Sequence, residues 1–346
     1  MKKKCLFLLF GILITGLTSC SFLSNLAPLE KEVNPIEDNI DYSKTYNNDS
    51  NKKHLNYTYN DLSTTNMYGL DYLPSTGEPA LLIIPVKTKD SKLTTQQRKV
   101  VKEDLYKVFF GTNEETGWRS VRTYFAEESF GKLNLKGTVT DWFDSGLKAN
   151  DITSDKTDQL VSKAVEWYKK ETGTYLNNFD TNKNGLLDSV ILIYDAPNYG
   201  GDSKKNDNLW AYTYWLDKDS SVFSPNPCAF TWASYDFMYG SNNKSGVPGN
   251  GGDTSNCVLD AHTYIHELGH LLGLNDYYDY AGKEGYAAAG GGIMQDYNVG
   301  SHDSYTKMSL GWIDPYVISK DTTIEIKSLQ ESGEFIILYP KFNTSQ

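Results

Sequence analysis

The chain has 346 residues, of which 39% are hydrophobic and 22% are charged. This composition excludes an intrinsically disordered chain, and the length allows one large folded domain or two of ordinary size. The 33 Lys and Arg residues against 44 Asp and Glu residues give a net charge of −11. That balance argues against a nucleic-acid-binding protein that relies on phosphate neutralisation, so we expect no nucleic acid among its partners.

The N-terminus has the features of an export signal. Three lysines at positions 2–4 precede an apolar run over residues 5–17, and the sequence Leu-Thr-Ser-Cys follows, ending at Cys20. A basic start, an apolar stretch and small residues predict a signal peptide. The final four residues resemble a bacterial lipobox, which implies a lipoprotein signal peptide over residues 1–19 and lipidation of Cys20. An ordinary signal peptide or a signal anchor that happens to contain a Cys is the alternative.

Lipidation at Cys20 would anchor the chain in the membrane at the extracellular face of a bacterial cell, from which it could also be shed. Residues 20–66 are rich in Asn, Ser, Asp, Lys and Tyr and show no apolar periodicity. Such a composition fits a flexible tether and equally fits a short inhibitory propeptide. We therefore assign the folded domain to residues 67–346 and expect a monomer.

Apolar periodicity predicts a series of strands and helices after the tether. In chain order they are a strand at 80–87, helices at 95–110 and 119–128, a strand at 132–143, a helix at 155–172, strands at 189–194, 209–216 and 229–239, a helix at 260–272, and strands at 322–326 and 335–339. Thr94 or Thr95 can cap the first helix. Strands and helices are mixed along the chain, so the expected class is α+β or α/β.

An oxygen-rich loop precedes the strand at 189–194. Residues 180–188 read Asp-Thr-Asn-Lys-Asn-Gly-Leu-Leu-Asp, with an oxygen-bearing side chain at every second position before a Gly. Hard oxygen ligands at this spacing are typical of a calcium loop. The predicted calcium ligands are Asp180, Asn182, Asn184, the backbone carbonyl near Leu186, and Asp188. Position 191, where an EF-hand has its last Glu, is Ile191, so the loop is not an EF-hand. A plain Asn-Gly turn is the alternative.

A second candidate metal site lies in residues 266–276, which read His-Glu-Leu-Gly-His-Leu-Leu-Gly-Leu-Asn-Asp. Residues four apart share one face of a helix, so His266 and His270 can bind the same ion. Glu267 lies beside them and can polarise a metal-bound water. Gly273 can adopt a positive φ and return the chain, which makes Asp276 a third ligand. Three protein ligands and an open position are typical of catalytic zinc. A core helix with two hydrogen-bonded histidines is the alternative.

This segment resembles the extended zinc signature of the metzincin peptidases, in the variant where Asp replaces the third His. More narrowly, the chain resembles the immune-inhibitor-A-like family of secreted bacterial metalloproteases. The resemblance covers about residues 70–315. Besides the zinc segment, it rests on residues 72–77, 120–125, 129–133, 276–279 and 309–312.

The resemblance implies an α+β, metzincin-like zincin fold. A twisted sheet and helices would form an upper lobe, the active-site helix would lie at the floor of the cleft, and a small irregular lower lobe would hold a Met-turn. Met294 follows Asp276 by 18 residues in the sequence Gly-Ile-Met and fits the Met-turn position. Its expected role is structural, as a polarizable floor beneath the histidines.

The resemblance also implies a zinc-dependent endopeptidase that hydrolyses extracellular proteins or peptides, with Glu267 as the catalytic base. Zinc is the expected cofactor, and calcium is the second. The alternative function is a catalytically weak or dead peptidase-fold lipoprotein that acts as a surface binding or adhesion protein. All four site residues expected for catalysis are present, which favours the enzyme.

Two cysteines remain outside the signal segment, Cys228 and Cys257. An extracytoplasmic location permits a disulfide between them. Two buried free thiols are the alternative.

Overall fold

The computed structural model describes residues 73–200, 202–216, 220–221, 223–240, 245–248, 257–278, 294, 300–318, 321 and 323–338. The predicted signal peptide, Cys20 and the segment 20–66 lie outside these residues, so those assignments stay predictions. Within the described ranges, no helix has both the length and the apolar character needed to cross a bilayer.

A central sheet organises the domain. Within the described residues, the strands are β1 (Ala80–Lys87), β2 (Lys136–Val139), β3 (Phe143–Asp144), β4 (Val190–Tyr194), β5 (Tyr212–Trp215), β6 (Ala229–Ser234), β7 (Tyr316–Ile318) and β8 (Ile336–Leu338). The order across the main sheet is β2-β1-β4-β6-β5, and β3 pairs with β1 beyond the end of β2. All of these pairs are parallel except β5–β6, which is antiparallel. Strand β5 is therefore an antiparallel edge strand on a parallel sheet.

Strand β1 has the bounds that its apolar run predicts. Ile83 pairs with Val139 of β2 on one side and with Ile191 of β4 on the other. Both faces of β1 are covered, which explains why its sequence is continuously apolar instead of alternating.

Seven α-helices occur in the described part of the chain. They are α1 (Thr95–Phe110), α2 (Asn113–Thr116), α3 (Val121–Glu128), α4 (Ser154–Thr172), α5 (His262–Leu271), α6 (Ser304–Ser309) and α7 (Leu329–Ser332). Thr94 caps α1 as predicted, in a reciprocal capping box with Gln97. Helix α3 begins two residues later than predicted because the Ser120 hydroxyl accepts a hydrogen bond from the Thr123 N–H and so occupies the cap position.

The sheet separates two apolar cores. Odd-numbered residues of β1, such as Ile83, face a core shared with α1, α3 and α5. Even-numbered residues, such as Leu82, face a core shared with α4. This alternation follows from the two-residue period of a strand, and it places α5 on the same face as α1 and α3.

Some predicted strands are shorter in the structure or absent. The edge strand predicted at 132–143 consists of the short strands β2 and β3, and the strand predicted at 229–239 ends at Ser234, where a 3-10 helix (Tyr235–Met238) follows. The described residues of 322–326 contain no strand. Strand β8 pairs with β7, which was not predicted because its three residues are too few to show an apolar period. The fold is mixed α and β with a mostly parallel sheet, consistent with the expected α+β class.

Candidate metal centre

Helix α5 carries the two predicted histidine ligands. It begins at His262, whose N–H donates to Asp260 Oδ1 (2.9 Å) and whose Nδ1 lies 2.7 Å from the same oxygen. The His262 ring also stacks on Trp118, with ring centroids 3.7 Å apart. These contacts fix the start of the helix, and His262 is not part of the three-residue group that could hold a metal.

The end of α5 turns as the glycine predicts. Gly273 has φ +87°, and the Leu274 N–H donates to the Gly269 carbonyl over 3.0 Å. A positive φ followed by a bond to the carbonyl five residues back is the Schellman ending of a helix. The chain therefore reverses within three residues and brings Asp276 back to the histidines.

Three donor atoms converge at this turn. Asp276 Oδ1 lies 2.8 Å from His266 Nε2 and 3.4 Å from His270 Nε2. The ligand atoms of the group lie within 4.8 Å of one another, and it is the one such His, Cys, Asp or Glu group in the described residues. Zinc–ligand bonds of about 2.0–2.1 Å in a tetrahedron separate the donors by roughly 3.3 Å. The donor set is one that zinc accepts, and the two distances from Asp276, 2.8 and 3.4 Å, bracket the spacing expected around one ion.

A backbone contact orients His270. Its Nδ1–H donates to the Leu274 carbonyl over 2.8 Å, and its Nε2 lies 3.4 Å from Asp276 Oδ1. Burial opposes protonation of His270, but the Asp276 and Glu267 carboxylates outweigh burial and raise its pKa to about 9. This electrostatic environment favours a positive charge at the site.

Glu267 is buried beside the two histidines. Desolvation raises the pKa of its carboxyl group, and the two histidines act in the opposite direction. Thr213 of β5 contacts it twice, since Thr213 Oγ1 lies 3.1 Å from Glu267 Oε2 and 2.9 Å from the Glu267 carbonyl. A buried carboxylate in this position can accept a proton from water at the metal and release it again.

Met294 packs directly against α5. The Tyr277 N–H donates to the Met294 carbonyl over 2.8 Å, which ties Met294 to the segment that carries Asp276. A methyl group built on Gly269 would overlap Met294 Sδ and lie 3.1 Å from its terminal carbon. Gly269 falls between His266 and His270 in the sequence, so Met294 packs against the part of α5 that carries the two histidines.

The predicted calcium ligands lie in one tight loop. Asp180 accepts hydrogen bonds from the N–H groups of Asn184 and Gly185, and Asp188 Oδ2 accepts one from Thr181 (each 3.0 Å). The Asn182 and Asn184 side chains also accept backbone bonds within the loop. These hydrogen bonds are the ones expected of an Asn-Gly turn that its own side chains stabilise, which is the alternative to a calcium loop. Asp188 Oδ1, however, is buried without a hydrogen-bond partner among the described residues, and desolvation raises the pKa of Asp188 to about 6.

The two cysteines are both buried and unbridged. Cys228 Sγ lies 3.5 Å from the Leu216 carbonyl at the end of β5. Cys257 lies elsewhere, since the N–H of the next residue, Val258, donates to the Thr116 carbonyl at the end of α2. The structure therefore has two buried thiols at these positions and no disulfide between them.

One residue of this site could not be found from the sequence. Thr213 is 54 residues from Glu267 along the chain, and a lone Thr in an aromatic strand has no recognisable signal. The predicted ligands, the predicted base and Met294 come together around the C-terminal half of α5. A scan of the chain against protein-family models finds no match, and a search of curated proteins finds no match either.

Proposed function

We propose that the chain is a zinc-dependent endopeptidase that hydrolyses extracellular proteins or peptides at the outer surface of a bacterial cell, anchored through lipidated Cys20. One observation carries this proposal: His266, His270 and Asp276 converge beside a buried Glu267. Three nitrogen and oxygen ligands with an adjacent carboxylate are the arrangement typical of metal-assisted hydrolysis.

The chain's own residues supply the rest of the reaction. Zinc held by His266, His270 and Asp276 contributes Lewis acidity and lowers the pKa of water. Glu267 accepts the proton of the attacking water and then donates it to the leaving amine. The burial that raises the pKa of Glu267 favours proton uptake by this carboxylate, which is the first step required of a general base.

An extended peptide is the substrate that the surroundings favour. Among the described strands, β5 pairs only with β6 and forms one edge of the sheet, and it lies beside α5. A peptide can add to such an edge through main-chain hydrogen bonds. Tyr214 and Trp215 of β5 are about half exposed and offer apolar surface to substrate side chains.

The finer fold assignment is part of the proposal. An antiparallel edge strand next to the metal-binding helix and a methionine against that helix support a metzincin-like zincin, with α5 at the floor of the cleft. Calcium is proposed as a second ion, held in the 180–188 loop. The buried, unpartnered Asp188 Oδ1 supports it, because a bound cation would satisfy that atom.

The test is cleavage-site profiling of a peptide library with the zinc-loaded protein, in parallel with E267Q. Loss of the base should lower kcat by about 10²- to 10⁴-fold, while one zinc per chain and the melting temperature are retained. The matched control is E103Q, since Glu103 is exposed on α1. Substantial activity in E267Q would contradict the assignment of the base. A zinc-loaded protein that cleaves nothing would favour the binding lipoprotein.

A further inference from the structure

Thr213 connects the edge strand to the carboxylate of Glu267. Its hydroxyl oxygen lies 3.1 Å from Glu267 Oε2, 2.9 Å from the Glu267 carbonyl and 2.9 Å from Thr231 Oγ1. Thr213 and Thr231 are directly opposite each other in the antiparallel β5–β6 pair. The threonine pair therefore faces α5, on the side of the sheet that carries the candidate metal centre.

Counting protons assigns the direction of these bonds. A hydroxyl has one hydrogen to donate and two lone pairs that accept. Both Glu267 oxygens in contact with Thr213 are acceptors when the carboxylate is ionised, so Thr213 donates to Glu267. Thr231 then donates to Thr213. The result is a chain of hydrogen bonds from β6 through β5 to Glu267.

The contact holds the carboxylate as well as the backbone that carries it. A hydroxyl shared between the main-chain carbonyl and Oε2 of the same residue restricts rotation of the Glu267 side chain. Thr231 is fully buried and Thr213 is half-buried, so little solvent competes for these bonds. The single hydroxyl hydrogen of Thr213 is shared between the carbonyl at 2.9 Å and Oε2 at 3.1 Å, so this three-centre contact ties the carboxylate to the backbone of the same residue.

We propose that Thr213 is a positioning residue, which holds the Glu267 carboxylate in the orientation that proton transfer requires. This inference rests on the proposed function, because it takes Glu267 as the base. It also places the residue that supports the base on β5, the strand at the edge of the described sheet. A peptide that adds to β5 therefore binds to the element that orients Glu267.

The experiment compares T213V, T213S and the wild-type protein, all zinc-loaded. T213V removes the donor and keeps the shape, and T213S restores the donor. We expect T213V to lower kcat about 10- to 100-fold, as loss of a hydrogen bond to a charged group does, with KM and zinc affinity within about twofold of wild type. T213S should recover most of kcat. The matched control is T138V, a buried threonine of β2 at the opposite edge of the sheet, which should leave kcat unchanged.

Crystal structures of the three zinc-loaded proteins give a readout that is independent of turnover. Glu267 should keep one side-chain conformation in the wild type and T213S and lose it in T213V. An active wild type with unchanged kcat and an unchanged Glu267 in T213V would overturn the positioning role while leaving the peptidase intact. A wild type that is inactive would instead refute the proposed function, and the Glu267 conformations would still decide whether Thr213 positions that side chain. If T213V does not fold, a T213S variant with low kcat and a displaced Glu267 would also overturn the role.

Discussion

The contact between Gly269 and Met294 predicts how substitutions at these two positions change the free energy of unfolding. In G269A, the added methyl group would overlap the Met294 sulfur and lie 3.1 Å from its terminal carbon and 3.7 Å from Leu274 Cδ1. Met294 is 1% exposed, so its side chain has little space to move into. Overpacking of this kind costs about 1–3 kcal/mol. Replacing Gly by Ala within a helix stabilises the helix by about 1 kcal/mol.

We therefore expect G269A to lower the free energy of unfolding by about 0–2 kcal/mol, the difference between those two terms. M294A alone should cost about 2–5 kcal/mol, because it leaves a cavity under the helix. In the double variant, the new methyl group enters space that the methionine has vacated. The two changes should then cost about 1–3 kcal/mol less together than their sum.

Urea denaturation of the metal-free proteins measures this coupling, and zinc titration shows whether the displaced floor also weakens the ligands. The matched control pairs G269A with V161A, a buried residue in the core on the other face of the sheet. That pair should be additive within about 0.5 kcal/mol. Additivity of G269A and M294A to the same limit would refute the reasoning, since it would mean that the sulfur does not restrict position 269.

Two further predictions concern buried titratable groups. Burial lowers the pKa of His302 to about 4. The unfolded chain binds a proton there at higher pH than the folded one, so the free energy of unfolding should fall as the pH drops from about 6.5 to about 4, by up to roughly 3 kcal/mol. H302F should lack this part of the slope in urea denaturation, and an identical slope would contradict the prediction. Calcium should raise the melting temperature of the wild type, with about 2.7 kcal/mol of stabilisation at 100-fold excess over its Kd. D188N should lose that effect and D207N, at an exposed position, should keep it; equal calcium responses would refute the site.

The parts of the fold that depend on neighbouring residues were predictable from the sequence. The bounds of β1 follow from an uninterrupted apolar run, and the Thr94 cap of α1 follows from a capping box that spans four residues. The convergence of the three candidate zinc ligands belongs to the same class. The helical period brings His266 and His270 together, and the positive φ of Gly273 returns Asp276 within eleven residues. Each of these contacts needs only local backbone geometry.

Contacts between distant segments were beyond such reasoning. The division of the predicted 132–143 strand into β2 and β3 depends on how each piece pairs with β1. Whether Cys228 and Cys257 are joined by a disulfide depends on how the elements that hold them pack, and they are not joined. Neither feature can be predicted from the apolar periodicity of one segment, because strand partners and side-chain neighbours are determined when the sheet and the helices pack together.

The candidate site combines the two kinds of information. The sequence by itself identified the candidate metal ligands, the candidate base and the methionine expected beneath them, because residue type and spacing restrict the chemistry of a short segment. Only the tertiary structure decided that Thr213 reaches Glu267 and that Met294 leaves no room for a side chain at position 269. Those contacts arise where β5 and Met294 pack against α5, and a helix cannot specify from its own residues what will pack against it.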